Sequence, residues 1–176
     1  MGAWMTEQVA SGKNANDAYR NAIANATAEH GHQDGYSGAI NSKGNGFLMV
    51  DLPKGVTYSK FIEVLEDSND HYEIDTFHLN HLLQLERGGK KGLKGAIAKE
   101  RRIVEKQRIA KAKFDAKVEK MGFYDFDGMA MAFNDKWGSP LCIEISNHIA
   151  KQNYSWAYNN KKRGEKIFVF FGYAPC

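Results

Sequence analysis

The sequence predicts an α+β fold: a small antiparallel sheet of about four strands with an N-terminal helix and an inserted basic helical hairpin. Three observations carry this. Strand-like runs rich in β-branched and aromatic residues lie towards the two ends of the chain. The middle has helical periodicity instead. Within it, GGKKGLKGAIAKERRIVEKQRIAKAKFDAKVEK, Gly88 to Lys120, is far more basic than its surroundings.

Taken in order, residues 1–14 read as a flexible N-terminus and 15–176 as a single domain. Asn14 or Asn16 can cap a helix through DAYRNAIANATAEH, in which Tyr19, Ala22, Ile23 and Ala26 share a face and Gly31 ends the run. GYSGAINS and FLMVDL read as strands separated by KGNG, whose glycines and Asn45 supply the positive φ of a tight reversal. Residues 36–52 are therefore expected to form a β-hairpin. Pro53 and Gly55 end it, and residues 57–121 are expected to be a helical insertion. Thr57 or Ser59 can open a helix through KFIEVLEDS, with Phe61, Ile62 and Leu65 on its apolar side. Asp75 can cap a second, TFHLNHLLQLE, which Gly88 and Gly89 break.

In the basic stretch Ala96, Ile103, Ala110, Phe114, Val118 and Met121 mark one narrow apolar face of a long helix. A helix with so thin a stripe gains little alone, so it is expected to lie on the preceding helix as a hairpin. After Gly122, Asp127 can cap GMAMAFND, KWGSP turns into the strand LCIEIS, and the polar NHIAKQNYSWAYNNKKRGE connects to a last strand, KIFVFFGYA.

The charge is unevenly spread. Residues 88–120 hold twelve basic residues against four acidic ones, a local +8, whereas the whole 176-residue chain is only +3. Twelve basic against seventeen acidic residues remain elsewhere, a net −5. Such asymmetry points to a partner-binding arm. No run approaches the roughly 18 apolar residues of a membrane span, and MGAWMTEQVASGK lacks the apolar core of a signal peptide. Cys142 and Cys176 form neither a disulfide framework nor a zinc-ligand pattern, so the expected setting is cytoplasmic, with Cys142 in the core.

Nucleic acid, or an acidic protein surface, is the partner such an arm would take. Lys94, Arg101 and Arg108 recur every seven residues, Lys99, Lys106, Lys113, Lys117 and Lys120 form a neighbouring stripe, and Arg102 and Lys111 add to the field. Tyr154, Trp156 and Tyr158 alternate in NYSWAY just before Lys161, Lys162 and Arg163, as base-stacking rings can. The bland counterpart is a set of rings packed on the core.

Signals for catalysis are fewer. His30, His32 and Asp34 follow a helix end closely enough for an acid/base or metal cluster, although a histidine there is also favoured by the helix dipole. His78 and His81 share a helical face, with His71 and Glu73 upstream, but no complete metal set is legible. KGNG lacks phosphate-loop spacing. Trp137 and the FVFF run read as core. No cofactor is expected.

Glu29-His30-Gly31, Tyr36-x-Gly38-x-Ile40, Lys136-Trp137-Gly138 and Phe170-Phe171-Gly172-Tyr173 occur in an order that resembles a family of small proteins encoded by tailed bacteriophages. The resemblance covers roughly residues 15–52 and 133–174. Ala39 and Ser139 stand where the pattern has Thr and Pro. It implies a phage origin and a compact core into which the basic hairpin is inserted, and it carries no catalytic residue.

The expected function is that of a phage accessory protein acting in the infected host cell. It would bind and modulate a host or phage nucleic-acid or protein complex through its basic arm, as in host takeover or counter-defence. An enzyme using His30, His32 and Asp34 on a nucleotide or nucleic acid is the alternative, and a virion or assembly component the second.

Overall fold

The computed structural model describes residues 2–31, 39–43, 46–72, 74–88 and 93–175, and the side chains of all of these except 69–77. It is α+β, and the chain divides into two compact units, Met1–Leu52 with Asp125–Cys176, and Pro53–Tyr124.

The first unit is built on a four-stranded sheet of order β1-β4-β3-β2, with β1 at Ala3–Gly12, β2 at Leu48–Met49, β3 at Leu141–Ile145 and β4 at Lys166–Pro175. β4 is interior and apolar on both faces, every residue from Ile167 to Phe171 being buried. Its even positions Phe168 and Phe170 face helix α1 (Ala15–His30), which presents Ala18, Ala22 and Ala26 at four-residue spacing. Methyl groups at those positions let the helix approach the sheet closely. Where β1 meets α1, a side chain at Gly12 would lie 2.4 Å from Ala18 N, so only glycine fits. Tyr19, Phe47 and Phe170 close this side as an aromatic triad. On the other face Phe171 and Tyr173 meet Phe133 of helix α2 (Phe126–Asn134). Helices α3 (Asn147–Asn153) and α4 (Ser155–Asn160) bridge β3 and β4.

The second unit holds three helices, α5 (Tyr58–Tyr72), α6 (Ile74–Arg87) and α7 (Lys94–Met121). Phe61, Val64 and Leu65 of α5 are fully buried, and Phe61 stacks on Phe123 at 4.9 Å. α6 and α7 pack on one another, as the thin apolar stripe requires.

Several expectations are corrected. Residues 3–12 are not flexible: β1 pairs antiparallel with β4 from Ala3↔Pro175 to Gly12↔Lys166. Its sequence gives little apolar signal because its place is fixed by backbone pairing to a strongly apolar neighbour. Among the described residues of 36–52, which are 39–43 and 46–52, the expected hairpin is not formed. Ile40–Ser42 is a 3-10 turn, and β2 pairs parallel with β3, so the sheet is mixed and not purely antiparallel. Asp125, not Asp127, caps α2, accepting from Gly128 N at 3.0 Å. Asp75 lies inside α6. The connector 147–160 is helical, so the three rings of NYSWAY are not aligned by alternation. The caps of α1 are as expected: Asn14 accepts from Asp17 N, and Gly31 has φ 75°.

Candidate nucleic-acid interface

The long helix α7 sorts its residues into two faces. Ile97, Glu100, Val104, Gln107, Lys111, Phe114, Val118 and Met121, spaced alternately three and four, are buried or half-buried, with Ile103, Ala110 and Lys117 half-buried beside them. This is a heptad seam. It shares Phe114, Val118 and Met121 with the expected stripe, but towards the N-terminus its centre passes through Glu100, Val104 and Gln107, and Ala96 is exposed. Three polar residues in the seam keep that part of it from reading as apolar.

Glu100 is the sharpest case. It is only 7% exposed, and His78 Nδ1 donates to its Oε1 at 2.5 Å while His81 Nδ1 lies 3.4 Å away. The His78 hydrogen bond, more than any other cause, holds the Glu100 carboxyl below its ordinary range. The paired histidines of α6 thus have a structural partner on α7. Among the described residues no group of three His, Cys, Asp or Glu is arranged to hold a metal ion. The side chains of His71 and Glu73 lie outside those described.

The opposite face is cationic. Lys99, Arg102, Lys106, Lys113 and Lys120 follow a second three-and-four pattern and are all exposed. At 3.6 residues per turn this stripe stands about 160° from the seam and runs for about 30 Å. None of the five, nor Lys94 or Arg108, is held in an ion pair among the described residues. Other basic residues of α7 are engaged: Arg101 with Glu86 at 2.7 Å, Lys111 with Asp115 at 3.1 Å and Lys117 with Asp67 at 3.0 Å. Lys99, Arg102 and Lys106 line a shallow concavity of about 340 Å³ with Ile103. Ile109, 48% exposed, continues the stripe.

The aromatic candidates separate in the same way. Tyr154 donates its hydroxyl to Glu7 at 2.9 Å, and burial first, then that carboxylate, raises its pKa. Tyr158 is half-buried with Lys161 Nζ 5.7 Å from its ring centre. Trp156 is 52% exposed. Trp137, expected in the core, is 46% exposed, whereas the FVFF run is buried as expected.

His30 is exposed beside Glu29 at 3.8 Å. His32, Asp34 and Tyr36 lie outside the described residues. Cys142 is buried, and burial pushes its thiol up to about 12, which suits a core residue and not a nucleophile.

One buried cation went unnoticed in the sequence. Lys43, 7% exposed, donates from Nζ to Asp135 O at 2.7 Å and to Tyr173 O at 2.6 Å. Burial lowers its pKa to about 8, with nearby Asp135 acting in the other direction. Gly172, at φ 150°, makes room: a Cβ there would sit 3.3 Å from the ammonium. Lys43 thus joins the end of α2, at Asp135, to the end of β4, at Tyr173.

Among the described residues no helix is long and apolar enough to cross a membrane. Comparisons with protein-family models, with curated proteins and with solved structures found no match to this chain.

Proposed function

We propose that the chain is an accessory protein that binds nucleic acid through the outward face of α7, engaging phosphates with Lys99, Arg102, Lys106, Lys113 and Lys120. The observation that carries this is the opposition of two faces on one helix. The seam takes up the apolar residues and three paired or half-buried polar ones, and the far side keeps five exposed cations without ion-pair partners among the described residues. A helix that needed charge only for solubility would gain from compensating i,i+4 acids, and this stripe has none in register. Phosphate contacts of this kind give affinity and position, not sequence discrimination.

The likeness to tailed-phage proteins supports an accessory role in the cytoplasm of an infected cell, modulating a host or phage complex. One observation favours a second reading. The stripe has heptad spacing and includes exposed Ile109, so an acidic amphipathic helix of another protein would also fit it.

The test is capture from host lysate with the intact protein and with Lys99→Glu, Arg102→Glu, Lys106→Glu and Lys113→Glu combined, each with and without nuclease. The proposal expects nucleic acid to be captured by the intact chain and lost with either treatment. A partner lost on charge reversal but resistant to nuclease selects the acidic-protein reading. A partner set unchanged by charge reversal overturns both.

A further inference from the structure

The first unit carries a separate concavity of about 310 Å³ between α1, the end of β1 and α4. Its floor is made by small residues, Ala24 and Ala157, and its walls by Asn21, Asn25, Asn160 and the indole of Trp156. It has no formal charge of its own. Trp156 is 52% exposed and Asn25 and Asn160 are exposed, with no side-chain hydrogen bond among the described residues. Asn21 alone is engaged, its Nδ2 donating to Ser11 O at 2.9 Å. A flat ring on alanines beside an open indole, with carboxamides that each offer a donor and an acceptor, is what an unpaired nucleobase requires.

The rim separates a base from a sugar. Asn21 also lines an adjoining depression of about 250 Å³ that contains Lys13 and Arg20. Both acids there are engaged: Asp17 takes Arg20, and Glu165 takes Ser11 Oγ at 2.7 Å and Lys162 N at 2.8 Å. Lys13, Lys162 and Arg163 are exposed and belong to no ion pair among the described residues. The Lys162 N–H and the Ser11 hydroxyl, and after them the charges of Lys162 and Lys13, hold the Glu165 carboxyl low; a ligand phosphate would add a second anion for these cations, which a neutral sugar would not.

We infer that the α1/α4 groove binds a single nucleobase stacked on Trp156, with its phosphate towards Lys13. The base can belong to a free nucleotide or to an unpaired residue of a single strand. This site is independent of the cationic face of α7.

Calorimetric titration of the full chain with the four ribonucleoside 5′-monophosphates, a single-stranded oligonucleotide and glucose tests it. We expect saturable binding of at least one monophosphate or of the oligonucleotide. Trp156→Ala should weaken it about 5- to 100-fold, the range for losing one base–aromatic stack. Ala24→Leu, which adds bulk at an exposed position of the same lining and leaves Trp156 in place, should weaken it comparably and guards against a misfolded Trp156 variant. In the α7 charge-reversal variant, where phosphate contacts of the long helix are removed, tighter binding of the oligonucleotide than of every monophosphate identifies a single strand as the source, and the reverse a free nucleotide. The α7 charge-reversal variant should still bind the monophosphate, so failure of the helix reading leaves this one testable. No binding of any nucleotide, binding of glucose alone, or affinities unchanged in both groove variants would overturn the inference.

Discussion

The two units bury different things. In the sheet unit β4 is sealed on both faces by aromatic and aliphatic side chains, and its one buried cation, Lys43, is satisfied by two backbone carbonyls. In the helical unit the long seam of α7 admits Glu100, Gln107 and Lys111 at positions where a coiled coil would place apolar residues. A core that excludes polar groups fixes its own stability. A seam that accepts them makes its stability depend on partners, here His78 for Glu100, and leaves the helix free to devote its outer face to charge.

The largest effect should come from the sheet unit. Phe170→Ala removes a fully buried ring touching Tyr19 and Phe47, and should cost about 3–5 kcal/mol in the urea midpoint followed by near-ultraviolet dichroism. A loss below about 1 kcal/mol would mean that this core is less tightly packed than described.

Lys43→Met should come next, at about 1–3 kcal/mol, because it removes the ammonium hydrogen bonds to the carbonyls of Asp135 and Tyr173, leaving Asp135 O with the longer bond from Gly138 N at 3.2 Å. The same lysine predicts a pH effect. Its folded pKa, about 8, is below the unfolded value, so between these the unfolded chain binds the extra proton. Its contribution to stability should rise as pH increases from about 8 towards about 10.5, and Lys43→Met should abolish that rise.

In the helical unit the sign can reverse. Gln107 Oε1 is buried without a hydrogen-bond partner among the described residues, so Gln107→Leu should stabilise the unit by about 1 kcal/mol, read as slower amide exchange in α7. Faster exchange would indicate that the amide has a hydrogen-bonding role. Glu100 gives the acid-side counterpart. With its folded pKa depressed, its contribution is present above the unfolded carboxyl value and is lost as pH falls through the folded one. Protection factors in α6 and α7, referred to intrinsic exchange at each pH, should therefore fall on acidification, and Glu100→Gln should remove that dependence.

The legible parts of the sequence were those set by local rules. The Asn14 cap, the Gly31 stop, the apolar β4 and the long basic helix follow from neighbouring residues alone. β1 was missed because AWMTEQVASG owes its strand to pairing with residues more than 150 positions away. Glu100 was missed because a buried carboxylate looks like a solvated one until the histidines of another helix are placed against it. NYSWAY was read with period two although it is helical, which hid the separation of Trp156 from its neighbouring tyrosines. The cationic stripe was partly visible, since Lys99, Lys106 and Lys113 repeat at seven. That it lies opposite the seam needed the seam's true register.

The most direct test of the two-faced helix is the salt dependence of binding to a random-sequence duplex, measured by polarisation for the intact chain and for stepwise Lys99→Gln, Lys106→Gln and Lys113→Gln. If the stripe engages phosphates, log affinity should fall linearly with log salt with a slope of about −4, and each substitution should make the slope shallower by about 1. A slope near zero, or one unchanged by all three substitutions, would contradict the account.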